Sequence, residues 1–346
     1  MNADIFLWLL QDGVTNGAIY ALLALALLLV FAVTRVIFVP QGEFITFAAL
    51  SLSFLEAGRT PGTIYILVFG GLAAAAVEAF AALRGRAWRR LPRIAALYVV
   101  LPLAVAALVT WAAPRRFDQW IQVLLALAMV VPLGPIIYRI AYQPLANASV
   151  LVLFIVSMAV HYVLTGLSLV FFGGEGLRSR PFSEAKFKLG VVDISAQSIL
   201  VVGASVVLIL VLWLLFEHTI YGKALRATAM NRVGARLVGI PTVLTGHLSF
   251  LLAALIGAVS GILIAPITTL YYDTGFLFGL KGFVGAILGG MASYPLAAAG
   301  AIGVGLLESY SSFWASAYKE VIVFTLIIPV LAWLSLRTRH VEEEEP

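Results

Sequence analysis

The sequence has no cysteine, which excludes disulfides, thiolate metal sites and cysteine nucleophiles together. Charge is scarce as well: Asp, Glu, Lys and Arg make up 11% of 346 residues, against about 25% in an average soluble domain. A chain this long cannot cover a water-facing surface with so few charges, and its 62% apolar content points to lipid as the main solvent. The four histidines (His161, His218, His247, His340) lack ligand-like spacing. No phosphate-cradling loop of the form G-x-x-x-x-G-K followed by Ser or Thr occurs; Gly222-Lys223 has no upstream glycine in register and is followed by Ala224. Hydrolysis of ATP in the P-loop manner is therefore excluded for this chain. The opening residues Met1-Asn2-Ala3-Asp4 lack the basic region of a cleaved signal peptide, so the first apolar run is expected to be retained. The net charge of +5 falls in short gaps between apolar runs rather than along one stripe, which speaks against nucleic acid. Nothing in these patterns calls for a cofactor.

What is present is a succession of apolar runs bounded by charges, glycine and proline, each near the ~20 residues that a membrane helix needs. They fall at 13–35, 41–56, 62–82, 94–113, 118–138, 149–171, 197–217, 245–267, 277–292, 295–313 and 319–336. The expected fold is an all-α polytopic membrane protein, a single domain of about 10–11 transmembrane segments. The runs at 41–56 and 277–292 are short, as tilted, broken or re-entrant helices would be, which requires protein or a watery cavity to cover their backbone.

Basic loops set the expected orientation. Arg84, Arg86, Arg89, Arg90 and Arg93 follow the third run, Lys223, Arg226, Arg232 and Arg236 the seventh, and Arg337, Arg339 and His340 the last. If every run spans, all three clusters share one side, and that side is cytoplasmic. The N-terminus is then outside and the C-terminus inside. The external connection at 172–196 carries Arg178, Arg180, Lys186 and Lys188, which fits this topology least well. The tail Glu342-Glu343-Glu344-Glu345, within an acidic end at 341–346, is expected to be solvated.

Ionisable residues inside apolar runs cost on the order of 2.5–3.5 kcal/mol each on insertion scales and mark functional sites by default. Glu43, Glu78, His161, Lys281 and Glu308 qualify. A zwitterion needs partners of both signs, so Lys281 with Glu43 or Glu308 is one candidate pair; the plain alternative is an ion pair that fixes the bundle. His161 is expected to be a hydrogen-bonded packing residue and Glu78 to snorkel to the boundary. Gly282, Gly285, Gly289 and Gly290 permit close helix approach, either as packing alone or as a gate or seam. In the long internal loop, Ala224, Ala227, Thr228 and Ala235 fit one amphipathic helical surface, and Gly239 before Ile240-Pro241 a helix stop. This loop is either an ordinary basic segment near anionic lipid or a contact for a partner.

Three stretches resemble the Liv-type family of ABC permeases, which serves import of branched-chain amino acids and related solutes. The first is Asn16-Gly17-Ala18-Ile19-Tyr20-Ala21-Leu22, with Pro40-Gln41-Gly42-Glu43 where the family has a "H-G-E" turn and Gln41 in place of its histidine. The second, Arg226-Ala227-Thr228-Ala229-Met230-Asn231-Arg232-Val233-Gly234-Ala235-Arg236-Leu237-Val238-Gly239-Ile240, is similar to the family's coupling segment, with Asn231 at its usual acidic place. The third is Lys281-Gly282-Phe283-Val284-Gly285-Ala286-Ile287-Leu288-Gly289-Gly290, followed by Gly305-Leu306-Leu307-Glu308. A weaker fourth is Tyr138-Arg139-Ile140-Ala141-Tyr142-Gln143-Pro144-Leu145.

The resemblance implies a permease subunit without enzymatic activity, in the inner membrane of a bacterium or archaeon. Its implied partners are a second homologous permease or a second copy, two cytoplasmic ABC ATPases, an extracytoplasmic solute-binding protein and membrane lipid. It places ATPase coupling within 221–241, at Arg226, Ala227, Asn231, Arg232, Ala235, Arg236 and Gly239, and makes Gln41, Glu43, Lys281 and Glu308 candidates for the solute pathway. Two departures stand out: about fifty extra residues within 83–137, enough for two added spans, and a C-terminus without the family's usual ending. The competing reading is a secondary transporter whose Glu43, Lys281 and Glu308 sense a coupling ion, although the two halves show no paired repeat. An intramembrane enzyme lacks the paired nucleophile and base it would need.

Overall fold

The computed structural model describes residues 3–85, 88–189, 192–291 and 293–337. Arg86, Arg339, His340 and the acidic tail lie outside the described residues.

The chain is helical almost throughout, because a segment in lipid must satisfy its backbone hydrogen bonds internally. Among the described residues nine helices are long and apolar enough to cross a bilayer. The elements are α1 (Ala3–Thr34), α2 (Glu43–Glu56), α3 (Thr63–Arg84), α4 (Leu91–Ala95), α5 (Leu101–Ala112), α6 (Gln119–Val130), α7 (Leu133–Ile137), α8 (Val150–Phe172), β1 (Lys186–Leu189) and β2 (Val192–Ser195), then α9 (Ala196–His218), α10 (Ile220–Met230), α11 (Arg232–Leu237), α12 (Thr242–Ile264), α13 (Thr274–Leu288), α14 (Tyr294–Trp314), α15 (Lys319–Thr325) and α16 (Ile327–Arg337). Wider turns splice α4 to α5 and α7 to Tyr142, so Leu91–Arg115 and Gln119–Leu145 each run as one span.

Helix α1 is the axis of the bundle and packs against α9, α12, α13 and α14. It begins at Ala3, ten residues before the first expected run, since Phe6 to Leu10 extends the apolar stretch past Asp12. Its seam with α14 is made by glycine: a Cβ on Gly13 would meet Leu306 Cα at 2.8 Å, and one on Gly17 would meet Ile302 Cα at 2.8 Å. Gly13 and Gly17 form a small-x-x-x-small pair that lets two backbones touch where lipid gives no hydrophobic drive to associate.

The two short runs form short helices. With 14 and 15 residues, α2 and α13 reach about 21–23 Å at 1.5 Å per residue, less than the ~30 Å hydrocarbon core. Their starts meet inside the protein: Gly42 and Gly275 touch backbone to backbone, and the Gly275 amide donates to Thr46 Oγ1 at 3.0 Å. The backbone entering α2 at Pro40, Gln41 and Gly42 is buried, as an interrupted helix at membrane depth requires.

Within the stretch 83–137 the second span packs into the bundle, while the first, Leu91–Arg115, lies at its periphery. Helix α5 packs on α3, while α6 buries Leu125, Ala126, Met129 and Val130 among α2, α3 and α12. The connection after α8 holds the one departure from all-α architecture among the described residues, an antiparallel pair with Lys186 opposite Ser195 and Phe187 opposite Ile194. The same connection is bound to the bundle end at Leu177 and Leu270, which exchange backbone hydrogen bonds at 2.9 Å, and at Glu56, whose Oε2 accepts from the Arg180 amide at 3.0 Å.

Candidate functional site

Two buried polar clusters lie among the apolar helices. The first joins α1, α13, α14 and α15. Lys281 Nζ donates to Glu308 Oε1 at 2.6 Å and to Glu320 Oε1 at 3.1 Å, and Tyr20 Oη donates to Glu308 Oε2 at 2.5 Å. Lys281, Glu308 and Tyr20 are buried, and Glu320 is about one-third exposed. Lys281 sits on the third turn of α13, flanked by Gly279 and Gly282, so its side chain leaves a closely packed stretch to reach α14. With one cation against two carboxylates the cluster is formally acidic, and Glu320 Oε2 is buried without a hydrogen-bond partner among the described residues.

The second cluster lies at the start of α2. Glu43 Oε1 is 2.9 Å from His161 Nδ1 and accepts from Thr165 Oγ1 at 3.3 Å, while the His161 ring stacks on Phe276 with centroids 4.4 Å apart. His161 and Thr165 are one turn apart on α8 and so present both groups to the same oxygen. Glu43 is fully buried, and its Oε2 has no partner among the described residues. Gln41 donates from Nε2 to the Ala253 carbonyl at 2.9 Å, and its Oε1 is likewise buried and unpartnered.

These positions separate what the sequence left as alternatives. Lys281 joins Glu308; it does not join Glu43, whose partner comes from α8. His161 is the hydrogen-bonded packing residue expected. Glu78 does more than snorkel: its Oε1 lies 2.7 Å from Arg139 Nε, a mostly buried guanidinium. Gly282, Gly285 and Gly289 each face closely packed atoms of α1 or α14, whereas Gly290 has open space and a φ of +67°. Gly290 therefore ends α13 in the left-handed conformation and is no packing contact.

The internal segment is two helices where one amphipathic surface was expected. Thr219 caps α10, with the Gly222 amide donating to its Oγ1 at 3.0 Å, and Asn231 leaves the helical conformation so that Oδ1 accepts from the Gly234 amide at 2.8 Å and starts α11. An Asn with a free helix start behind it competes with helix continuation, which is why the segment breaks there. Gly239 stops α11 as expected: φ is +86°, and the Ile240 amide returns to the Ala235 carbonyl at 2.9 Å. Thr228 and Ala235 are buried and Ala224 and Ala227 half-buried, so these four do form the inner side. Leu225 anchors α10 against Leu29 and Val33 of α1. Arg232 donates to the Ala146 carbonyl at 2.9 Å, and Arg226 pairs with Glu217 at 2.6 Å. The outer side presents Met230, Val233, Leu237 and Val238, each more than two-thirds exposed.

A family profile described as "Branched-chain amino acid transport system / permease component" matches residues 99–331. The chain belongs to this family. It is similar to the high-affinity branched-chain amino acid transport system permease protein LivH of Escherichia coli K12, 25% identical over 349 aligned positions that cover 94% of each chain. The corresponding protein BraD of Pseudomonas aeruginosa is 28% identical over 205 positions, covering 57% of this chain and 67% of its own. The probable permease protein LivH of Methanocaldococcus jannaschii is 32% identical over 211 positions, 56% of this chain and 65% of its own. No solved structure matches.

Within this Liv-type permease the residues that sequence reading missed are Tyr20, Glu320 and the Arg139–Glu78 pair. Tyr20 and Arg139 lay inside the quoted motifs but carried no weight as polar groups at depth. Glu320 stands at the edge of an apolar run, where a charge looks solvated.

Proposed function

We propose that this chain is the membrane-spanning permease subunit of an ABC importer for branched-chain amino acids or related small polar solutes. Solute moves by alternating access, driven by partner ATPases. The observation that carries this reading is the likeness to the Escherichia coli permease across 94% of both chains. The other relatives carry permease names of the same transport system, and none favours ion-coupled secondary transport.

In this reading the partners are a second permease, homologous or a copy of this chain, two cytoplasmic ATPases and an extracytoplasmic solute-binding protein, all assembled in lipid. The N-terminus is outside and the C-terminus cytoplasmic, and 83–137 contains the added helix pair. ATPase closure is received within 221–241. The exposed apolar row Met230, Val233, Leu237 and Val238 supports that role, because apolar side chains grouped on a polar loop mark a contact surface. Arg226, Ala227, Asn231, Arg232, Ala235, Arg236 and Gly239 shape and hold the segment, and Arg232 ties its motion to the loop after Leu145. Gln41, Glu43, Lys281 and Glu308 line or gate the solute route, and Gly282, Gly285 and Gly289 let α13 slide against α1 and α14.

The test is ATP-driven leucine uptake by the assembled transporter in proteoliposomes. Leu237→Asp lowers uptake about tenfold, equivalent to about 1.4 kcal/mol of coupling, with thermal stability unchanged because the side chain is exposed. Uptake that needs no ATPase and follows an imposed ion gradient contradicts the reading.

A further inference from the structure

At the end of the bundle that carries the start of α1, two cavities adjoin between α1, the β-pair and the first turns of α9. The first has a volume of about 300 Å³ and is lined by Trp8, Gln11, Asp12, Lys186, Asp193 and Ser198, among others. The second, about 560 Å³, runs on between Leu7, Leu10 and Val14 of α1 and Ile194 and Val202 on the other side. Gln11 and Ser198 line both, so a polar chamber opens directly into an apolar groove.

The polar chamber has the composition of a ligand site more than of a structural joint. Asp12, Lys186 and Asp193 bring three formal charges, and among the described residues no two of them lie within salt-bridge distance. Gln11 Oε1 is buried and has no hydrogen-bond partner among the described residues. The size falls at the lower end of the range for small-ligand pockets, about 300–1,000 Å³. Asp12 and Lys186 are exposed and Asp12 already accepts from Ser309 Oγ, yet the set is complementary to a group of both signs, with an ammonium beside the two carboxylates and Gln11 Oε1 and an anion at Lys186. The adjoining groove takes an aliphatic chain.

We propose that this chamber and groove form an outer binding site for a free amino acid with a branched apolar side chain. Its ammonium sits at Asp12 and Asp193, its carboxylate at Lys186 and its side chain between Leu10, Val14 and Val202. The proposal rests on the importer reading above and on the external placement of the N-terminus. It gives the β-pair a purpose, since that pair supplies both Lys186 and Asp193. It also links the outer face to the buried cluster: Ser309 Oγ lies 3.2 Å from Asp12 Oδ2, and Ser309 is the neighbour of Glu308.

The experiment is photolabelling of the assembled transporter with a diazirine analogue of leucine, in nanodiscs made without ethanolamine lipid, with peptides mapped by mass spectrometry. Saturable label is expected on 7–15 and 194–203, displaced by leucine. Asp193→Asn and Lys186→Ala each reduce it about tenfold, the loss of one charged contact. Absence of label in these segments overturns the proposal, as does undiminished label in both variants. Label displaced by added ethanolamine phospholipid and not by leucine assigns the groove to lipid and overturns it too. ATP-driven uptake is measured on the same complex: uptake without label refutes the outer site alone, whereas label with no uptake refutes the importer reading and leaves the site.

Discussion

The Lys281 and Glu43 clusters are both buried, both sit on short helices, and differ in how their charge is answered. Around Lys281 every strong interaction is charge-assisted, with two carboxylates on one ammonium and a tyrosine hydroxyl on the free side of Glu308. Around Glu43 the partners are groups that need not be charged, a histidine and a threonine, and one carboxylate oxygen has no partner. A buried charge is tolerable when paired and hydrogen-bonded and costly when stripped of its partner. The first cluster therefore holds four elements together, and removing one member leaves another exposed to that cost. Each cluster keeps one buried carboxylate oxygen without a partner among the described residues, Glu320 Oε2 and Glu43 Oε2, but only the first sets a lysine between its carboxylates, so alteration of the second costs the fold less.

That contrast orders the expected stability effects, each measured by thermal unfolding of the purified complex in detergent. Glu308→Ala is the most severe, about 3–5 kcal/mol, because Lys281 loses its shorter ion pair and Tyr20 its acceptor. Lys281→Met combined with Glu308→Met and Glu320→Gln recovers much of that loss, since neutral replacement of all three partners leaves no uncompensated charge. Next comes His161→Ala, about 1–3 kcal/mol, from the lost contact to Glu43 and the lost stacking on Phe276. Asn231→Ala removes a helix cap and costs about 1 kcal/mol, read as faster amide exchange over 232–237. Glu43→Gln costs least, below about 1 kcal/mol, because an amide keeps an acceptor for Thr165 and His161. If Glu43→Gln destabilises as much as Glu308→Ala, the distinction between the clusters collapses.

The spans were readable from the sequence because the bilayer imposes one rule on every segment, about 20 apolar residues with internal hydrogen bonds. The short helices α2 and α13 were readable for the same reason, as runs shorter than that length, which tilted, broken or re-entrant helices would give. Pairing at depth was not. Tyr20 and Glu308 are 288 residues apart, and no local pattern says which of several buried carboxylates a lysine meets. Lys281 had two candidate acidic partners, and only helix arrangement decides for α14. The break at Asn231 has a local signal, since Asn favours a helix N-cap, but the amphipathic pattern around it runs straight through. The β-pair also had its signal, since Lys186-Phe187-Lys188-Leu189 alternates polar and apolar at the period of a strand. Gly13 and Gly17 carried a small-x-x-x-small spacing that only the contact with α14 makes meaningful.

The central claim is that energy reaches this permease through α10 and α11 from a separate ATPase. The cysteine-free sequence allows one engineered thiol to report on it without background. Val233→Cys places that thiol on the exposed side of α11, and a short bifunctional cross-linker applied to native membranes captures what touches it. The account predicts a single adduct that mass spectrometry resolves into this chain and a P-loop ATPase, formed in one nucleotide state more than another. An adduct with lipid or with no protein at all, in membranes that still import branched-chain amino acids, contradicts it.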